Sequence, residues 1–213
     1  MSSCKVLIVA EHAQGKLNGA IAKCVSCARA IPDAQISIAV LAADGSAVAA
    51  QAARISGVSE VLQLDQAGNE HPLAAVLAPQ IAELAQPFTH VLGPSTTFGK
   101  DLMPRVAALM DVPQVSDVMA VESARRFRRP IYAANAIATV EIAEGARVVA
   151  TVRTASFEAA GAAETAAPSL SATRYSSAKF SALPTPRPPD MMRAALCRSG
   201  RSARGADSEM KRV

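Results

Sequence analysis

Lys5-Val-Leu-Ile-Val-Ala10 is a continuous run of apolar, mostly branched side chains, so an extended segment here has no face to turn to water. Such a strand is buried on both sides and belongs to a parallel sheet covered by helices. Gln14 to Ile31 follows with apolar residues at 17, 20, 21, 24, 25 and 28, spacings that share one helical face. Ile36 to Ala42 repeats the strand pattern, Ser46 to Ile55 the helical one, and Val58 to Leu64 supplies another strand. The alternation is βαβαβ.

Pro72 opens a further helix to about Ala85, with Leu73, Val76, Leu77, Ile81 and Leu84 inward and Pro79 as a kink or restart. His90 to Gly93 is the fourth strand. From Pro94 a small-residue turn runs into a helix whose Leu102, Val106 and Leu109 share a face, with Pro104 tolerable only in its first turn. Val115–Val121, Arg128–Ala134, Ala136–Ile142 and Arg147–Val152 then read as short strands, and Glu144-Gly145 as a hairpin turn. The expected fold is an α/β, Rossmann-like parallel-sheet sandwich with helices on both faces, followed by short added strands. Periodicity fades after Ala159, so residues 1–160 are expected to form the domain and residues 161–213 a disordered linker and tail.

The charge belongs to that tail. Of the chain's 22 basic and 18 acidic residues, residues 184–213 hold seven basic groups and three acidic ones, which accounts for the whole net charge of +4. The tail also has prolines at 184, 186, 188 and 189, and it reads as a solvated end rather than a nucleic-acid arm. Aromatics make up only 3% of the chain, too few for a base-stacking platform, and nucleic acid is not an expected partner. Charged residues, Pro or Gln interrupt every apolar stretch well short of the roughly 20 residues that spanning requires, so membrane insertion is not expected. The first strand begins almost at once, leaving no room for a signal or transit peptide, and a cytoplasmic location is the expectation.

Candidate chemistry is sparse. Cys4, Cys24, Cys27 and Cys197 include one CxxC pair, but Cys24 and Cys27 lie within an Ala-rich helical run and read as helix packing. His12, His71 and His90 are scattered singly, so no metal site is expected. Parallel sheets gather ligands at the carboxyl ends of their strands, which points to the loop after Gly93. There Ser95, Thr96 and Thr97 offer hydroxyls, Gly99 a backbone N–H, and Lys100 a positive charge. These five are anion-loop candidates, set against the plainer reading of a Ser or Thr cap on an ordinary helix. Arg125-Arg126-Phe127-Arg128-Arg129 is a basic cluster before a strand and reads as a solvated turn in preference to an anion patch. No GxSxG, GxGxxG or Walker-type spacing is present, and no catalytic residue is expected.

Five motifs carry a family resemblance in order: Val9-Ala10-Glu11-His12; Gly99-Lys100-Asp101-Leu102-Met103-Pro104-Arg105-Val106-Ala107-Ala108; Val115-Ser116-Asp117-Val118; Ile131-Tyr132-Ala133-Ala134-Asn135-Ala136; and Val152-Arg153-Thr154-Ala155-Ser156-Phe157. Residues 4–160 resemble the amino-terminal domain of electron transfer flavoprotein alpha subunits. The resemblance implies a heterodimer with a beta subunit that carries electrons on FAD, from the acyl-CoA dehydrogenases of fatty acid beta-oxidation and related enzymes toward a quinone reductase, with AMP held by the beta subunit. It makes the chain a carrier component rather than an enzyme. It also implies a partner-facing apolar patch, to which Phe98, Met103 and Met110 are expected to contribute.

The resemblance stops short of the FAD domain that follows in the family, with its Ser-Gly-Gly-Arg phosphate loop. Pro186 to Asp190 corresponds to the entry to that domain, and Cys197 to Gly205 stands where its first strand and phosphate loop would be. The sequence therefore reads as a truncated alpha subunit, its Arg-, Ser- and Ala-rich end resembling an accidentally entered reading frame, and FAD is not expected to bind this chain. Two rival readings are a free-standing adenine-nucleotide-binding α/β module that uses Ser95 to Lys100, and an inactive fragment.

Overall fold

The computed structural model describes residues 4–171. The expected disorder of residues 172–213, and Cys197 with it, lies outside the described residues. Strand β1 (Cys4–Val9) sends Val6 and Ile8 to one face and Leu7 and Val9 to the other, and all four are at most 1% exposed. A small hairpin, β2 (His12–Ala13) and β3 (Lys16–Leu17), then precedes α1 (Ala20–Arg29). The helix therefore starts later than the apolar spacing predicts, because Gln14 and Gly15 adopt φ of +50° and +71°. Two successive left-handed residues make the tight turn of a hairpin and cannot be part of a right-handed helix.

Next come β4 (Ala34–Ala42), α2 (Ser46–Ala52), β5 (Glu60–Asp65), α3 (Ala74–Leu84), β6 (His90–Pro94) and α4 (Thr97–Leu109). Both Pro79 and Pro104 sit inside their helices, so Pro104 is not confined to the first turn. The lost backbone bond at each costs about 3 kcal/mol, which the burial of Leu77, Ile81 and Leu84 on α3 and Leu102, Met103 and Val106 on α4 opposes. Two expected inward residues are not inward: Leu73 is 61% exposed at the N-cap of α3, and Leu109 is 50% exposed at the end of α4.

The chain continues through β7 (Gln114–Val118), β8 (Ala120–Val121), β9 (Arg126–Ile131), β10 (Ala136–Glu141), β11 (Val148–Val152) and β12 (Ser169–Ser171). Seven strands form one wholly parallel sheet in the order β12-β5-β4-β1-β6-β11-β7. Helices α1 and α2 cover one face and α3 and α4 the other, as the sandwich reading requires. Strands β8, β9 and β10 make a separate antiparallel sheet. Glu144-Gly145 is consequently not a hairpin, since the turn there joins strands of two different sheets. The hairpin is at residues 132–135, where Tyr132, Ala133 and Ala134 all have positive φ.

Residues 161–171, expected to be tail, lie along the domain. Ala160 donates to Ala22 O, Ala163 to Arg54 O and Ala167 to Ala53 O, Val61 donates to Pro168 O, and β12 pairs in parallel with β5. Main-chain hydrogen bonds hold this segment, and Ser169, Leu170 and Ser171 are exposed. Apolar periodicity therefore had nothing to report there.

One polar contact in the interior is testable. Asn69 and Gln80, 2% and 3% exposed, exchange amide hydrogen bonds of 3.0 and 2.7 Å between the turn after β5 and helix α3. Gln80→Ala strands the buried Asn69 amide, and the expected loss in urea unfolding is about 1–3 kcal/mol.

Candidate functional site

From β1 the sheet grows through β4 and β5 on one side and through β6, β11 and β7 on the other, so strand order reverses between β1 and β6. Crevices form at the carboxyl ends of strands at such reversals. Here the crevice is bridged: Thr96 Oγ1 donates to Glu11 Oε2 at 2.7 Å. The same hydroxyl caps α4 by accepting the Gly99 N–H at 3.3 Å. Gly99 is buried against β6, and a methyl group built on it would lie 1.8 Å from the Pro94 carbonyl oxygen. Of the five anion-loop candidates, Thr96 and Gly99 are thus committed to structure. Thr97 is exposed on α4, away from the open cleft described next, and only Ser95 and Lys100 line that cleft.

The cleft opens beyond the bridge, at the carboxyl ends of β6, β11 and β7, with a volume of about 720 Å³. Ser95 follows β6, Asp117 is the next-to-last residue of β7, and Arg153 and Thr154 follow β11. Arg129 and Tyr132 reach it from the β9–β10 hairpin. The Ser95 hydroxyl donates to Asp117 Oδ1. Asp117 stands at φ +56° where the pairing of β7 with β11 shifts register, and its N–H donates to Thr151 Oγ1 at 3.0 Å. A bulge of this kind turns a side chain out of the ladder. Four of the five resemblance motifs, those holding Lys100, Asp117, Tyr132 and Arg153, therefore meet at one cleft.

Sequence reading did not bring Asp117, Arg129, Tyr132 and Arg153 together, and the arginine run is not a solvated turn. Arg125 donates to the carbonyls of Ala143 and Ala146, Arg126 and Arg128 face Glu122 at 3.0 and 3.8 Å, and Arg129 is half-buried with Nη2 donating to Ser116 Oγ. The apolar candidates divide as well. Met103 is 1% exposed, lies over Gly93 and belongs to the core, so it cannot contribute to a partner surface. Phe98 and Met110 are half-buried beside that same core.

Cys24 and Cys27 are buried in α1 as expected from helix packing, and burial pushes both thiols up, Cys27 to about 12. Among the described residues no group of His, Cys, Asp and Glu is arranged to hold a metal ion. His90 is 3% exposed, with Nε2 donating to the Ala124 carbonyl at 2.6 Å and Nδ1 2.8 Å from the Thr89 hydroxyl. Burial lowers its pKa below the ordinary 6.5, and the positive charge of Arg125 adds to the effect against the opposing Ala124 hydrogen bond. The folded ring thus binds a proton less readily than the unfolded one. Its contribution to stability is full above about pH 6.5 and is lost as pH falls from there through its lowered value, by at most about 1.4 kcal/mol per pH unit. Urea midpoints measured from pH 7.5 to 5 should show this fall, and His90→Gln should flatten it.

The parallel sheet with helices on both faces and an added antiparallel hairpin over its carboxyl edge defines a doubly wound α/β domain. The chain matches the Electron transfer flavoprotein domain family over residues 6–176 and belongs to that family. It is 46% identical over 157 residues to the electron transfer flavoprotein subunit alpha of Pseudomonas aeruginosa, covering 74% of this chain and 50% of that protein. The subunit of the same name from Paracoccus denitrificans is 44% identical over 162 residues, 76% of this chain and 52% of that protein. The mitochondrial subunit alpha of Dictyostelium discoideum is 37% identical over 166 residues, 75% and 46% of the two chains. The chain spans about half the length of the curated relatives it matches. Among the described residues no helix is long and apolar enough to cross a membrane.

Proposed function

We propose that the chain serves as the scaffold domain of an electron transfer flavoprotein alpha subunit. It pairs with a beta subunit that holds AMP, and the pair carries electrons on FAD from acyl-CoA and related dehydrogenases toward a quinone reductase. The observation that supports this most is the family match over residues 6–176, which contains all five resemblance motifs. In this reading the chain is a carrier component with no catalytic acid or base of its own, because the redox chemistry belongs to the flavin.

At the strand reversal the chain does not fit FAD. The crevice at the strand reversal is bridged by Glu11 and Thr96, and Gly99 is packed beneath Pro94 instead of lining a phosphate turn. No electron-transfer step is assigned to residues 4–171. Their part is to present a surface to the beta subunit, with Phe98 and Met110 joined by the exposed Leu109 on α4.

Co-expression with the beta subunit of the same genome tests the reading. The expected result is co-purification at near-equal stoichiometry, while the chain expressed alone carries no stoichiometric FAD by its absorption spectrum. A monodisperse monomer that ignores the beta subunit would overturn the scaffold role, and a yellow preparation of the chain alone would overturn the flavin assignment.

A further inference from the structure

The cleft at the ends of β6, β11 and β7 has an unbalanced charge. Lys100, Arg129 and Arg153 line it, and Asp117 is its only carboxylate. That carboxylate already accepts the Ser95 hydroxyl. Among the described residues the side chains of Lys100 and Arg153 have no hydrogen bond or ion pair, and Arg129 Nε is buried with no partner at all. A buried N–H of a charged group left unpaired costs about 1–3 kcal/mol or more, so a ligand oxygen placed there has a large effect. Thr154 adds a hydroxyl with no partner among the described residues.

Three cations against one anion leave room for two negative charges. A phosphate monoester supplies both on one tetrahedral group, and its oxygens match the forked donors of arginine. A carboxylate supplies one. At about 720 Å³ the cleft also has space for more than the phosphate, within the range typical of small-molecule sites. Tyr132 stands at its rim, 79% exposed, on a hairpin tip held by three successive left-handed residues. An aromatic ring held at that rim offers a stacking surface.

We propose that this cleft binds a phosphate monoester carrying a flat ring, with the phosphate among Lys100, Arg129, Arg153 and Thr154 and the ring against Tyr132. The site is independent of the electron-carrier reading, and each can fail without the other.

Calorimetric titration of the full chain at low salt with inorganic phosphate, phenyl phosphate and succinate tests it. Saturable binding of both phosphates is expected, with phenyl phosphate about fivefold tighter through the ring contact and succinate at least about tenfold weaker. Lys100→Gln and Arg153→Gln should each weaken both phosphates about tenfold or more, with far-UV circular dichroism unchanged, since neither side chain has a partner to lose. Tyr132→Ala should bring phenyl phosphate down to the level of inorganic phosphate and leave the latter unchanged. Absence of saturable heat up to about 10 mM, which corresponds to binding weaker than about 3 kcal/mol, overturns the site. So does wild-type affinity in both charge variants, or succinate binding as tightly as phosphate. Equal affinities for the two phosphates in the unaltered chain overturn the ring contact.

Discussion

Gly99→Ala is expected to destabilise the domain by about 3 kcal/mol or more, an unusually large effect for one added methyl group. The new Cβ would lie 1.8 Å from the Pro94 carbonyl oxygen and 3.0 Å from its carbon. Neither side can yield cheaply. Pro94 ends β6 and is paired with Val152 of β11, while α4 is fixed by the buried Leu102, Met103 and Val106. Separating the helix from the strand would also pull the Gly99 N–H from the Thr96 cap and loosen the Thr96 bond to Glu11. Gly68→Ala is the control, because an added Cβ there meets nothing within 4 Å. Urea unfolding should place Gly68→Ala within about 0.5 kcal/mol of the unaltered chain. A Gly99→Ala protein of equal stability would show that the close approach of α4 to β6 is not as described. The anion-loop reading of Gly99 predicts weaker ligand binding with an intact fold, so stability and phosphate affinity measured on the same protein separate the two roles.

The parts of the fold that were legible are those in which side-chain burial determines the backbone. Val6 to Val9 is buried on both faces and could only be an inner parallel strand. Cys24 and Cys27 read as core because they recur with Ile21, Val25 and Ala28 on one helical face. Thr96 was legible as a cap for a similar local reason. Elements held by other forces stayed hidden. Residues 160–171 are fixed by main-chain hydrogen bonds that leave no mark on composition. The hairpin at Tyr132-Ala133-Ala134 puts three left-handed residues where no glycine announces them. Met103 falls among the partner-patch candidates because helical spacing cannot show that Gly93 leaves room for it against β6. The cleft is a matter of topology. Strand β11 inserts between β6 and β7, bringing Arg153 beside Ser95 and Asp117, and no spacing along the chain encodes that neighbourhood.

Phe127→Ala is expected to release the small antiparallel sheet while leaving the parallel sheet folded. Phe127 is 1% exposed on β9, and its ring meets that of His90 edge-on with centroids 6.5 Å apart and planes at 69°. It joins the core on the α1 and α2 face together with Val118, Ile142 and Val148, so it pins β8–β10 to the end of the main sheet. Truncating a buried phenylalanine costs about 3–5 kcal/mol through lost burial and the cavity left behind. The loss should be local, because β1 and β4 are hydrogen-bonded to each other within the parallel sheet and neither pairs with a strand of the small sheet. Hydrogen exchange is the measurement: the amides of β9 and β10 should lose protection, and those of β1 and β4 should keep theirs. Phe127→Leu, which retains most of the volume, should cost less than about 1.5 kcal/mol and hold the hairpin in place. Because Arg129 and Tyr132 ride on that hairpin, Phe127→Ala should also abolish the preference for phenyl phosphate over inorganic phosphate, and Phe127→Leu should preserve it. Unchanged protection of β9 and β10 in Phe127→Ala would mean that their own ladder, rather than this one side chain, secures the cleft wall.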